Sequence, residues 1–415
     1  MQHCEIIQEA IQRHKDMIVC KKETSHQSPD NSDKVHVFTQ LNIEISTKQC
    51  DSHRTLNDDG SYKITINQTI GTIQANTTWG ALNGLITFYE VHFAENDTKM
   101  ENNATRVIED QPRFPYRGIF LNTAHNFLSP LQIKKHLDLM SYNKFNVLHW
   151  CLADKTYWSL KLKRYPALTE QRASSSDHVY NSDEIEDIIQ YARLRGILII
   201  PEFNTHSYME ILSQIHDEDL KVLREDQSKT DIYQFMKAIF DEIKQIFKNE
   251  SYIHISTVEI NTPFYSSNSH IRKFAEEKHR NNTSELLKHY FTKIFEILQE
   301  NGINAMFGQE YLDAGFELSP ESVIEIRRNS SIPTYLSKAI SQSHRFVKQM
   351  NHSDPCVLEA DEITQKRLIG YEWGFDEDCN DQSDDLLRSW SKASVILRKL
   401  WILPETVHTE GSQIQ

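Results

Sequence analysis

Glycine and proline are scarce in this chain of 415 residues, at 12 and 11, which argues against long flexible linkers. Long apolar runs are missing too. No stretch of 18 apolar residues occurs, so the sequence offers no transmembrane helix. Positive charge is in deficit: 45 Lys and Arg stand against 59 Asp and Glu, a formal net charge of −14. That weighs against nucleic acid or an anionic membrane as partner, because phosphate binding needs clustered Lys and Arg. Neither C-x-x-C nor H-E-x-x-H occurs, nor does a G-x-S-x-G nucleophile elbow. No metal or other cofactor is expected.

What is there is the composition of a globular protein, 39% hydrophobic and 25% charged. The length suits one large domain and one smaller one. The N-terminal "MQHCEIIQEAIQRHKDMIVC" carries Ile6, Ile7, Ala10, Ile11, Met17 and Ile18 on one helical face. It lacks the compact apolar centre of a signal peptide. Nine Asn-x-Ser/Thr triplets nevertheless occur, at Asn67, Asn76, Asn96, Asn103, Asn249, Asn281, Asn282, Asn329 and Asn351. Their density points to the secretory route, with any signal lying outside the sequence. Six cysteines fit that route. Cys4 and Cys50 bracket a helix-plus-strand segment, and a bridge there would be worth about 4 kcal/mol by loop-closure entropy. Cys151 lies inside an apolar strand and reads as a buried thiol. The pairing of Cys20, Cys151, Cys356 and Cys379 stays open.

Residues 1–108 mix strand and helix signals. "QLNIEIST" and "SYKITINQT" alternate with period two, and "TTWGALNGLITFYEVHF" has helical spacing. This is a small α+β domain, followed by the polar stretch "AENDTKMENNATRVIED". From 109 to 415 eight apolar runs of strand length follow: "YRGIFLNTA", "FNVLHWCLA", "GILIIPEFN", "YIHISTVE", "INAMFGQE", "SVIEIRR", "HRFVKQM" and "RLIGYEWG". Most are separated by helical segments, such as "SDEIEDIIQYARLRG" with Ser182 as its expected N-cap. The fold class is therefore α/β, a (β/α)8 TIM barrel preceded by the α+β domain. Function in such a barrel sits at the C-terminal strand ends, which carry Asn122, Asp154, Glu202, Asn204, Glu259 and Glu310.

Several of these motifs together resemble glycoside hydrolase family 20, the lysosomal-type β-N-acetylhexosaminidase subunit in particular. They are "DQPRFPYRGIFLNTAHNF", "YNKFNVLHWCLADKTYW", "RYPALTE", "YARLRGILIIPEFNTHS", "YIHISTVEI", "FGQEYLD" and "SWSKASVILRKLW". The likeness extends to "CEIIQEAIQRHKDMI" and Cys50, which resemble the family's disulfide-linked N-terminal domain. It implies a substrate-assisted retaining hydrolase, a departure from the two-carboxylate scheme of most glycosidases. The substrate's acetamido oxygen attacks the anomeric carbon, an Asp polarises that group, and the adjacent Glu protonates the leaving oxygen.

Here the resemblance breaks in the sugar pocket. The family's "HxGGDEV" is "HISTVEI", so Glu259 falls on the acid and Val258 on the Asp. Losing one such transition-state contact typically costs about 2.7–4 kcal/mol. "DTSRH" is "NTAHN", and His125 takes the place of a sugar-gripping Arg. "HWHLxDD" is "HWCLADK": Asp154 stays, while Cys151 and Lys155 replace a His and an Asp. "EFDxPGH" is "EFNTHSY", which puts Asn204 at the Asp and Tyr208 at the His. "WQE" is "GQE", so Gly308 removes an aromatic wall beside Glu310. "WGEYVD" aligns Asp376 with the Trp, whereas a one-gap alignment keeps Trp373. The strand-seven "WYL" has no counterpart.

The expectation is a hexosaminidase homologue, inactive or severely impaired, that binds an N-acetylhexosamine glycan or pairs with itself or a hexosaminidase subunit. The alternative is a weak hexosaminidase with Glu259 as general acid. The compartment is expected to be lysosomal or extracellular. The barrel is expected to lack the family's last helix.

Overall fold

A computed structural model of the chain describes residues 4–24, 39–47, 49–67, 70–94, 105–154, 156–205, 231–248, 250, 252–256, 283–313, 315–316, 318, 322–327, 332–350, 362–375, 390–396 and 400–401. Val258, Glu259, Lys155, His206, Tyr208, Asp376, Cys356 and Cys379 lie outside these residues. No described helix is long and apolar enough to cross a membrane.

The small sheet has the order β1 (Gln40–Ile45), β3 (Ile70–Ala75), β2 (Tyr62–Asn67) and β4 (Arg106–Asp110). β1 runs parallel to β3, and β2 is antiparallel to both its neighbours. Tyr62, Ile64 and Ile66 alternate inward from β2, as a half-buried strand requires. They pack with Ile6, Ile7 and Ala10 of α1 (Glu5–Thr24) and with Trp79, Leu82 and Leu85 of α2 (Thr78–Ala94). Cys4 and Cys50 form a disulfide.

Two strands of this sheet escaped the sequence reading. β3 and β4 fall in stretches of weak alternation, and β4 is an edge strand largely exposed on both faces. β4 also runs across residue 108, where the domain break was expected, and the small sheet ends only at Asp110.

The second unit is a closed parallel barrel. Its strands are β5 (Tyr116–Asn122), β6 (Val147–Ala153), β7 (Leu198–Asn204), β8 (Tyr252–Ser256), β9 (Asn304–Gly308), β10 (Val323–Ile326), β11 (Arg345–Met350) and β12 (Leu368–Gly374). All eight expected runs are strands, and β12 closes on β5 with Glu372 opposite Gly118. Helix α3 (Pro130–Tyr142) starts with a capping box of Ser129 and Gln132. In α5 (Ser182–Arg193), the third barrel helix after the short α4 (Pro166–Arg172), the N-cap is Asn181 rather than Ser182. The Asn181 carboxamide oxygen accepts the Asp183 and Glu184 N–H groups, and the Glu184 carboxylate accepts that of Asn181. Ser182 becomes the first helical residue.

The barrel interior is built in layers. At the bottom lies an apolar floor of Val147, Leu198, Ile200, Met306, Val323 and Val347, plugged by Leu56 from the small domain. One step up, two residues on, the inward positions of β6, β7, β8, β10 and β12 are ionisable.

Candidate functional site

The inward residue after Val147 is His149, after Ile200 Glu202, after Val323 Glu325, and after Gly370 Glu372. With His254 of β8 they form a single ionic layer, all fully or almost fully buried. His149 Nε2 lies 2.7 Å from Glu202 Oε2, and its Nδ1 lies 3.0 Å from Glu372 Oε2. His254 Nδ1 lies 3.3 Å from that same Glu202 oxygen, and its Nε2 lies 2.9 Å from Glu325 Oε2. Arg327, just beyond β10, closes the top of the layer. Its Nη2 donates to Glu202 Oε2 and its Nε to Glu325 Oε1, both at 2.6 Å, with the guanidinium over the Phe120 ring. Tyr116 OH and Gln349 Nε2 donate to Glu372 at 2.7 and 3.1 Å. Gly118 leaves the room for this: an added Cβ would meet the Tyr116 ring at 2.6 Å and Glu372 Cβ at 2.9 Å.

Each charge is held by its neighbours. Burial alone would drive His149 toward neutrality, yet the Glu372 and Glu202 carboxylates raise it to about 10. His254 is raised against the same burial, chiefly by Glu202. Burial works to lift Glu202 and Glu325, but Arg327 and the imidazoles hold both well below the usual carboxylate range. Glu372 is raised, by burial first and by Glu325, against the pull of His149. The layer thus sets two imidazoles and a guanidinium against three carboxyl groups inside a low-dielectric core, where every partner is needed.

One ligand atom each from His149, Glu202, His254 and Glu325 lies within 4.8 Å of the others, a donor set of the kind that holds a divalent metal. In this chain Arg327 already supplies a positive charge to both carboxylates. The sequence reading placed Glu202 at the mouth. It passed over His254, Glu325, Arg327 and Glu372. The signal was available: an ionisable residue on the inward phase of an otherwise apolar strand.

Above this layer, the rim holds the residues expected to line a sugar pocket. Asp154 Oδ1 accepts the backbone N–H groups of Thr156 and Tyr157, both at 2.7 Å. Its Oδ2 receives Asn122 Nδ2 at 3.5 Å and lies 3.7 Å from His125 Nδ1. This carboxylate is a loop anchor. His125 is exposed at 44% of its side chain, where a sugar-gripping group was expected to be missing. Cys151 is a buried free thiol, its pKa pushed well up by burial and by Glu202 and Asp154. Asn204 is fully buried at the end of β7, beside Ser256 of β8. At Gly308 an added Cβ would meet Glu310 Oε2 at 2.3 Å, so the Glu310 carboxylate fills the space that a side chain at Gly308 would take. The structure therefore brings Asn122, His125 and Asp154 together and sets Gly308 against Glu310.

A closed parallel barrel with its polar groups gathered toward the C-terminal strand ends, preceded by a small α+β domain, defines a protein of the (β/α)8 class with its functional end at the barrel mouth. The chain belongs to glycosyl hydrolase family 20: residues 114–375 match the family's catalytic-domain model, and residues 1–89 match a model described as beta-acetyl hexosaminidase like. It is similar to beta-hexosaminidase subunit beta of Mus musculus, 29% identical over 97% of this chain and 80% of the relative. It is also similar to beta-hexosaminidase subunit alpha of Bos taurus, 26% identical over 96% of this chain and 81% of the relative. Among solved structures, the chitobiase of Flavobacterium johnsoniae superposes with a TM-score of 0.77 at 21% identity, covering 97% of this chain and 65% of that one. An exo beta-N-acetylglucosaminidase of Vibrio harveyi in complex with N-acetylglucosamine gives 0.73 at 20% identity, covering 97% and 70%.

Proposed function

We propose that this chain is a β-N-acetylhexosaminidase homologue whose hydrolytic step is lost or severely impaired. It acts by binding an N-acetylhexosamine glycan or a hexosaminidase subunit. The observation that carries the reading is Val258 beside Glu259. A substrate-assisted hydrolase needs a carboxylate there, to hold the acetamide N–H and stabilise the charge that develops on the ring being formed. An isopropyl group does neither, at a cost of about 2.7–4 kcal/mol in the transition state. Two rim features support the reading. Asp154 has one oxygen engaged by its own loop and the other facing Asn122 and His125, and Gly308 offers no aromatic wall. With no carboxylate to polarise the acetamide, the substrate's own nucleophile goes unactivated and Glu259 is left without its partner.

Relatives named as alpha and beta subunits support a second copy, or a sister subunit, as partner. The sequons and the Cys4–Cys50 bridge support a secreted or lysosomal location. The retained Glu259 favours one other reading, a weak hexosaminidase that uses it as general acid.

Turnover of an aryl β-N-acetylglucosaminide from pH 4 to 7 separates the two. Purified protein is expected to show no rate above that of its Glu259→Gln variant. A rate that disappears in the variant would make Glu259 a working acid and overturn the proposal.

A further inference from the structure

We propose that Asn76 carries an N-linked oligosaccharide whose first sugar lies in a groove at the end of the small sheet. This inference is independent of whether the barrel hydrolyses anything. Asn76-Thr77-Thr78 is one of two sequons whose Asn is described, the other beginning at Asn67. It sits where β3 ends and α2 begins, and Asn76 is exposed.

Its amide is already oriented. Nδ2 donates to Asp59 Oδ2 at 2.9 Å, and Oδ1 accepts from Ser46 Oγ at 3.3 Å. A carboxamide nitrogen has two hydrogens. The Asp59 bond uses one and leaves the other position for a glycosidic bond, so attachment does not break the anchor. The groove beside it encloses about 710 Å³ and is lined by Ser46, Ser61, Tyr62, Asn76, Glu109 and Asp110, among others. That volume falls within the roughly 300–1,000 Å³ of small-molecule sites. Its hydroxyl, amide and carboxylate groups suit the hydroxyls and acetamide of a sugar. Asn67, by contrast, ends β2 at the other end of the β2–β3 hairpin and does not line this groove.

The third residue of the sequon sets the timing. Thr78 is fully buried. Its hydroxyl accepts the Asp51 N–H at 3.2 Å, while the Asp51 carboxylate accepts the Thr78 N–H at 2.8 Å. A transfer enzyme that must read this hydroxyl has access only before α2 docks. The sugar is therefore added to the nascent chain, in the oxidising compartment that also forms Cys4–Cys50. The donor is a lipid-pyrophosphate-linked oligosaccharide. Asn76 Nδ2 displaces the pyrophosphate from C1 of the first sugar, the amide gives up one proton, and the lipid pyrophosphate leaves.

The test is peptide mapping by mass spectrometry on the full chain, directed into the secretory route of a eukaryotic cell. The peptide containing Asn76 is expected to carry glycan and to become the Asp form after peptide-N-glycosidase F in heavy-oxygen water. Asn76→Gln should lose one glycan, and Thr78→Ser should keep it. An Asn76 peptide found mostly unmodified in the folded, secreted protein overturns the proposal, and this reading needs no variant to fold. Groove occupancy has its own readout. The Asn76 glycan should be released at least tenfold more slowly from native than from denatured protein, and equal rates would overturn that part.

Discussion

The two levels at the top of the barrel differ in what they tolerate. The ionic layer of His149, Glu202, His254, Glu325 and Glu372 is sealed, with side chains exposed by 3% or less. A short distance above it, the rim is wet: Asp154 is exposed at 14% and His125 at 44%. In the layer each charge has at least one opposite charge within 3.3 Å. Removing one would strand its partners in a medium that does not solvate them. At the rim, water replaces a lost partner, so residues can be exchanged singly at small cost. Of the described departures from the family pattern, His125 lies at this wet rim, while Cys151, Asn204 and Gly308 are buried close to it.

The sharpest challenge to this contrast is Glu202→Ala. It uncovers His149, His254 and Arg327 at once, and the expected loss is about 3–5 kcal/mol in urea denaturation. A loss below about 1 kcal/mol would erase the distinction between the levels.

Next in size is Glu250, a half-buried carboxyl away from both levels, just before β8. Burial raises it to about 8, opposed only by its bond from the Ile199 N–H at 3.1 Å. Its folded pKa lies above the unfolded value of about 4.3, so its contribution to stability is complete below that pH and lost as pH rises through about 8. Glu250→Gln should therefore stabilise the protein at pH 8 by on the order of 2–4 kcal/mol and change little at pH 4. Equal shifts in melting temperature at both pH values would refute the assignment.

The smallest effect is expected at the rim. Asp154→Ala removes the acceptor for Thr156 and Tyr157 and should cost about 1 kcal/mol, far less than Glu202→Ala. A loss as large as that of the buried layer would mean the rim is as tightly coupled as the layer.

The barrel was legible because each strand is a short apolar run, and burial on both faces demands that pattern. Even β10, only four residues long, follows it. The small sheet was half legible: β2 alternates cleanly, while β4 lies at an edge where solvent relaxes the demand. Motifs along the strands placed Asp154, Asn204 and Gly308 at the mouth. They said nothing of what those side chains touch.

By itself, then, the sequence determined the eight-strand order, the family likeness and the valine that precedes Glu259, because these depend on neighbours along the chain. Only the tertiary structure decided that Glu202, Glu325 and Glu372 share a layer with two imidazoles and Arg327. Residues from 149 to 372 meet there, and the charge state of each is fixed by groups that no local pattern brings near.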